Sequence, residues 1–198
     1  MTRVTVFDFE TTGLSPNTGD RVIEVGAIKL DGNRVVGVFD SLVNPGRLPS
    51  QKAQDITGIS DEMVLNAPDS KTVFSQFADF LEDDLLVIHN VAFDSAFLMH
   101  EFNLCNIKRT YEYYCTLKTA RKRIEKSPNY RLATLKNFLK LHMMGNMHRA
   151  LADSFVTAQL YLWLEKQIGV DTVNLMERVF RQYDSDQKTN PSISWLIE

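Results

Sequence analysis

The stretch Arg3-Val4-Thr5-Val6-Phe7-Asp8-Phe9-Glu10 alternates along its whole length. Successive side chains of an extended chain point to opposite faces, so Val4, Val6, Asp8 and Glu10 share one face and Arg3, Thr5, Phe7 and Phe9 the other. Apolar groups on both faces read as a strand in the middle of a sheet. Val22 to Leu30 and Arg34 to Val43 are β-branched runs joined by Asp31-Gly32-Asn33, whose tolerance of positive φ predicts a hairpin. Beyond it Val73, Phe74, Phe77, Phe80 and Leu81 recur at helical spacing, and Leu85 to His89 is a short apolar strand. A helix from about Ala92 to Leu104, a strand near Tyr111 to Cys115, helices near Leu117 to Ile124 and Leu132 to Leu141, and a long helix from about Arg149 complete the pattern. An antiparallel meander followed by alternating helices and strands is of the α/β class, a mixed sheet covered by helices.

The chain has 198 residues, 44% apolar and 24% charged, with nine Gly, six Pro and two Cys, proportions that exclude disordered, collagen-like and disulfide-scaffold proteins. This length supports one core, so residues 1–168 are expected to form one domain and 169–198 a C-terminal helix and tail packed on it or extending from it. No apolar run approaches the roughly 20 residues of a bilayer span, and neither a membrane segment nor a leader is expected. Cys105 and Cys115 match no metal-ligand spacing and are too few for a disulfide framework, which points to free thiols in the cytoplasm.

Net charge is −3, yet its distribution is uneven. From Lys108 to Lys140 there are ten basic residues against Glu112 and Glu125, a net +8 that leaves −11 on the remainder. Tyr111, Tyr113, Tyr114 and Tyr130 are interleaved with these charges, a composition suited to steering a single strand and stacking its bases as well as to an ordinary solvated helix face.

Asp8 and Glu10 end the apolar face of the first strand. Two like charges there repel and lose hydration unless a cation lies between them, and hard divalent ions meet that need with oxygen ligands. A strand that simply ended at Phe7 would leave both acids in solvent. The following Thr11-Thr12-Gly13-Leu14 favours the first reading, because small hydroxyl residues and Gly let backbone approach a ligand. Asp94 falls in the first turn of a helix, where it complements the dipole and Asn90 can cap; Phe93 and Phe97 beside a strand end add the kind of place where open α/β sheets bind ligands. Asp153 lies on the apolar stripe with Val156, Leu160 and Leu164 and needs a partner. His148 would be about 140° away on a regular helix, so it reaches Asp153 only from the preceding loop after Gly145-Asn146. With a reference pKa of about 6.5, a histidine there suits a general base.

These motifs, Phe7-Asp8-Phe9-Glu10-Thr11-Thr12-Gly13-Leu14, Ile88-His89-Asn90-Val91-Ala92-Phe93-Asp94 and His148-Arg149-Ala150-Leu151-Ala152-Asp153, resemble those of the DEDDh 3′-to-5′ exonucleases of the ribonuclease H-like superfamily. The likeness spans roughly Thr2 to Glu165 and is strongest to the epsilon proofreading subunits of bacterial DNA polymerase III. A tyrosine subclass would carry Tyr where Arg149 stands; His148, five before the last acid, matches the histidine subclass. The resemblance implies a ribonuclease H-like mixed sheet of five strands. It implies that Asp8, Glu10, Asp94 and Asp153 hold two Mg2+ or Mn2+ and that His148 activates the attacking water. Paired ions of this kind activate that water and stabilise the departing 3′ oxygen, releasing nucleoside 5′-monophosphates.

By the same resemblance the terminal nucleotide meets Thr11 and Thr12, with Leu14 and Phe93 against the bases and His89 and Asn90 nearby. Ile56-Thr57-Gly58-Ile59-Ser60 resembles the family's pocket loop, with Thr57 where epsilon subunits often carry His. The expected partner is a nucleic acid with a free 3′ end, single-stranded or frayed, DNA before RNA, with a DNA polymerase subunit as a candidate protein partner. The competing readings are an enzyme trimming short RNA and a non-catalytic nucleic-acid-binding module, against which the intact acid set argues.

Overall fold

The computed structural model describes residues 3–143, 147–166 and the backbone of 195–196. Its sheet has the order β5-β4-β1-β2-β3-β6. β1 (Arg3–Thr11) is central, antiparallel to β2 (Val22–Asp31) and parallel to β4 (Leu85–Ile88). β3 (Arg34–Leu42) continues the meander after a tight turn with Gly32 at φ 62°, and β5 (Tyr113–Cys115) lies parallel to β4. Five strands are those the sequence predicts. The sixth is a two-residue pairing, Trp195–Leu196 against Val38 and Gly37, too short for any period to announce it. The rest of the tail expected over 169–198, and the Gly145-Asn146 loop, lie outside the described residues.

The alternation of β1 is used on both sides. Phe7 and Phe9 enter an aromatic layer with Phe39, Phe74, Phe77 and Phe102, supplied by β3, α3 (Ser70–Leu81) and α4 (Val91–Leu104). Val4 and Val6 pack with Ile28 and Leu30 beneath α7 (Ala150–Leu164), whose residues Leu151, Phe155 and Leu162 close the second layer. α5 (Thr116–Arg123) and α6 (Leu132–Phe138) lean on the outer side of α7 through Ala120, Leu135, Leu160 and Leu164.

Two short helices, α1 (Gln51–Thr57) and α2 (Asp61–Leu65), and a 3-10 turn at Pro16–Thr18 have no counterpart in the periodicity of the sequence. α1 and α2 bury only one or two residues each and are set by their ends: Ser50 and Ser60 accept from the N–H groups of Ala53 and Met63, and Gly58 closes α1 at φ 71°.

α7 approaches β2 more closely than side chains allow. A Cβ on Gly26 would fall inside the backbone of Ala150 and Leu151, while Ser154 donates to the Gly26 carbonyl at 2.7 Å. Gly26→Ala must therefore push the start of α7 off the sheet. Its unfolding free energy, read from urea titration, is expected to fall by the roughly 1–3 kcal/mol of an overpacked core; an unchanged urea midpoint would refute the close approach.

Candidate active site

β1 carries Asp8 and Glu10 to the carboxyl end of the sheet on the α7 side, in line with Val4 and Val6. The parallel register Val6↔Val87 brings the end of β4 alongside, and the chain turns there through Asn90, at φ 77°, into α4. Asp94 is buried in the first turn, where its own N–H and that of Phe9 stabilise its charged form. Asp153 is buried in the first turn of α7. His148 precedes that helix in a left-handed conformation, φ 62°, and donates its backbone N–H to Asp153 Oδ2 at 3.2 Å. Ligand atoms of Glu10, His148 and Asp153 lie within 4.8 Å of one another, so the histidine converges on the acid from outside the helix.

Burial is the first cause that lifts each of the four carboxyls. Asp8 is driven well above the carboxylate range, by burial and then by Asp94, Glu10 and Asp153. Glu10 is pushed to about 8 by burial, with Glu24 the largest charge acting on it, and Asp94 also to about 8. Asp153 reaches about 6 because the His148 N–H holds it down. Asp153 Oδ1 is buried and has no hydrogen-bond partner among the described residues. Such an arrangement is costly unless a cation completes it, and a set of hard oxygen donors with one imidazole fits a divalent ion.

Glu24 is a buried acid beside the cluster that the motifs missed. It faces Glu10 across the β1–β2 ladder, is 1% exposed, and accepts from Arg149 Nε at 2.8 Å and from the Ala150 N–H at 2.8 Å, with a further bond from Arg149 Nη2. The available signal was one acid inside the apolar run Val22-Ile23-Glu24-Val25. A cavity of about 630 Å3 lies against this pair and is rimmed by Asp40 and Glu62.

The expected substrate contacts divide into two groups. Leu14 is 80% exposed, Asn90 is exposed without a capping bond, and Phe93 rests half-buried on Phe97 at 5.0 Å. Thr11 donates to the Gly13 carbonyl at 2.6 Å, and the Thr12 hydroxyl accepts the Arg21 N–H at 3.0 Å and donates to Asp20, so this turn is tied before any ligand arrives. Thr57 and His89, by contrast, spend their polar atoms inside the protein. The Thr57 hydroxyl donates to the Ala53 carbonyl and accepts from the Ile59 N–H. Burial lowers His89 to about 4, leaving a neutral ring whose Nε2–H donates to the Tyr130 carbonyl at 3.0 Å while Nδ1 accepts from Thr116 at 2.9 Å.

The tyrosines of the basic third correct the expectation of base stacking. Tyr114 donates to Glu165 and meets Tyr161 edge-on, Tyr130 donates to the Ile124 carbonyl, and Tyr111 and Tyr113 pack against the aromatic core. They serve packing. The charges nonetheless face outward: Lys118, Arg121, Lys122, Arg123, Lys126 and Arg131 are exposed on α5 and the segment after it, which starts where β5 ends and is tied to His89 beside the acids. No helix among the described residues is long and apolar enough to cross a membrane.

The chain is similar to several known proteins. The chain is 34% identical to the PolC-type DNA polymerase III of Caldanaerobacter subterraneus over 94% of its length, and 38% identical to that of Thermotoga maritima over 88%. It spans only 13% of either polymerase. Among solved structures, Exonuclease X in complex with 5′ overhanging duplex DNA superposes with a TM-score of 0.68 at 24% identity, covering 89% of this chain and 99% of that one. The nuclease domain of 3′hExo, a DEDDh family member bound to rAMP, gives 0.71 at 20% identity, covering 83% and 92%. These likenesses establish the ribonuclease H-like fold. The model of the RNase_T family, described as Exonuclease, matches residues 5–161, and the chain belongs to that family.

Proposed function

We propose that this chain hydrolyses phosphodiester bonds one nucleotide at a time from DNA 3′ ends, single-stranded or frayed, as the proofreading unit of a polymerase. One observation carries the reading: Asp8, Glu10, Asp94 and Asp153, from three separate stretches of chain, converge with His148 at the carboxyl end of β1 and β4. The choice of DNA is supported by relatives that are DNA polymerases. A cytoplasmic setting suits both that substrate and the free Cys105 and Cys115.

The four carboxylates would hold two Mg2+ or Mn2+, which when bound supply charge to the phosphoryl group, the attacking water and the departing oxygen. The residues of the chain do the rest. His148 takes the proton of the water as it attacks phosphorus, the bond to the 3′ oxygen breaks, and a nucleoside 5′-monophosphate leaves. The exposed Leu14, Phe93 and Asn90 meet the terminal nucleotide, and the turn at Thr11 and Thr12 presents backbone and hydroxyls to it. Thr57 and His89 brace the wall behind. The strand leaves over the exposed cations of α5, because the cavity on the other side is rimmed by Asp40 and Glu62 and repels phosphate.

With Mg2+, matched end-labelled oligomers should lose mononucleotides from the 3′ end of DNA faster than of RNA, and EDTA should stop both. Asp8→Ala should abolish turnover, and His148→Ala should lower it by about 10²–10⁴-fold. Wild-type rates in either variant would remove the assigned role, and faster RNA degradation would overturn the choice of substrate.

Carboxyls whose pKa rises on folding bind protons that the unfolded chain releases. They favour the fold below about pH 4, the unfolded value, and that contribution is lost as pH climbs through 6 for Asp153 and 8 for Glu10 and Asp94. Without divalent ions the melting temperature should therefore fall between pH 5 and 8.5, and Mn2+ should restore most of the loss at the alkaline end. A metal-free melting temperature that rose across this window would contradict the assignment.

A further inference from the structure

Glu24 stands where stability alone gives no reason for an acid. It lies in a strand of β-branched residues and adds a fifth carboxylate to a cluster that already repels itself, raising Glu10 further. A buried ion pair of this kind contributes little net stability compared with apolar packing. Its partners are nevertheless specific. Arg149 grips both oxygens and the Ala150 N–H takes one of them, so Glu24 caps α7 from another strand while Arg149, at the capping position, makes no side-chain cap of its own.

Arg149 is also the peptide neighbour of His148, and its carbonyl accepts the Asp153 N–H at 3.0 Å. Fixing the guanidinium on β2 fixes the peptide that joins the histidine to the acid. His148 at φ 62° occupies a backbone region that non-glycine residues rarely hold without outside restraint. One end of that restraint is its own N–H on Asp153; the other is the Arg149 grip on Glu24.

We infer that the Glu24–Arg149 pair is a positioning device for the reaction, holding His148 in its left-handed conformation over Glu10 and Asp153 from the strand next to β1. This rests on the proposed role of His148 as the base. Neither residue touches substrate in this account; both act through the histidine. Lysine at 149 would keep the charge and lose the two-pronged grip, so geometry rather than charge is what the pair supplies.

The test compares Glu24→Gln, Arg149→Lys, Arg149→Gln and the Glu24→Gln/Arg149→Gln double variant on a short single-stranded DNA with Mn2+, reading kcat, KM, Mn2+ affinity and melting temperature. Each single variant should lower kcat about 10–100-fold with KM and Mn2+ affinity within about threefold, the range for residues that orient those around a metal. Arg149→Lys should lose least, and the double variant no more than the worse single. In a His148→Ala background Arg149→Lys should cost nothing further. A wild-type kcat for Arg149→Lys, a double variant that multiplies the two losses, or a further loss without His148 each overturns the proposal. Should Glu24→Gln melt early, Arg149→Lys keeps the buried charge paired and carries the decision. Full activity of His148→Ala alone would sink the base assignment instead, a failure distinguishable from that of the pair.

Discussion

Mutual repulsion among four carboxyls at one end of the sheet is the constraint around which the molecule is built. Like charges this close separate unless the backbone gives them no room. β1 gives none, because its two faces are buried in different layers and a shift by one residue would exchange phenylalanines for acids. β4 is locked to it in parallel, which fixes the take-off of α4 and with it Asp94. α7 is brought against β2 at Gly26, and only that closeness lets Asp153 overlook β1. Fold and site are thus one arrangement: the contacts that fill the core also compress the charges.

Much of this was legible in the sequence because it has a period. The strands that bury both faces and the helices that bury a stripe repeat at two and at three to four residues, and the acids stand out where they interrupt those repeats: Asp8 and Glu10 at the end of a strand face, Asp153 on a helix stripe. α1 and α2 were not legible, since a helix that buries Ala53 and Thr57, or Val64 alone, leaves no stripe to count. Their capping serines and Gly58 were the only marks.

What the sequence did not announce about the site has a common physical cause. Residue type tells what a side chain is able to do, not which way it faces. Four tyrosines among ten cations suggest base stacking, yet their hydroxyls and rings turn inward to Glu165, Ile124, Tyr161 and the aromatic layer. His89 and Thr57, expected beside the terminal nucleotide, direct their polar atoms to Thr116, the Tyr130 carbonyl and the Ala53 carbonyl. Glu24 and Arg149 are far apart in the chain, on elements whose contact no local pattern announces, and each alone looks ordinary. Pairing across 125 positions is a property of the fold.

The uneven charge follows from the same constraint. The proposed reaction on a phosphate chain calls for positive surface, but positive residues among the carboxyls would pair with them and compete with the cations they are proposed to hold. The basic residues are accordingly carried on α5 and the segment after it, outside the sheet, starting at its reactive edge. Arg149 is the exception that enters the acidic end, and its guanidinium is already spent on Glu24. Cations are thus segregated on the rim and acids in the floor, the division that the proposed reaction on a polyanion would use.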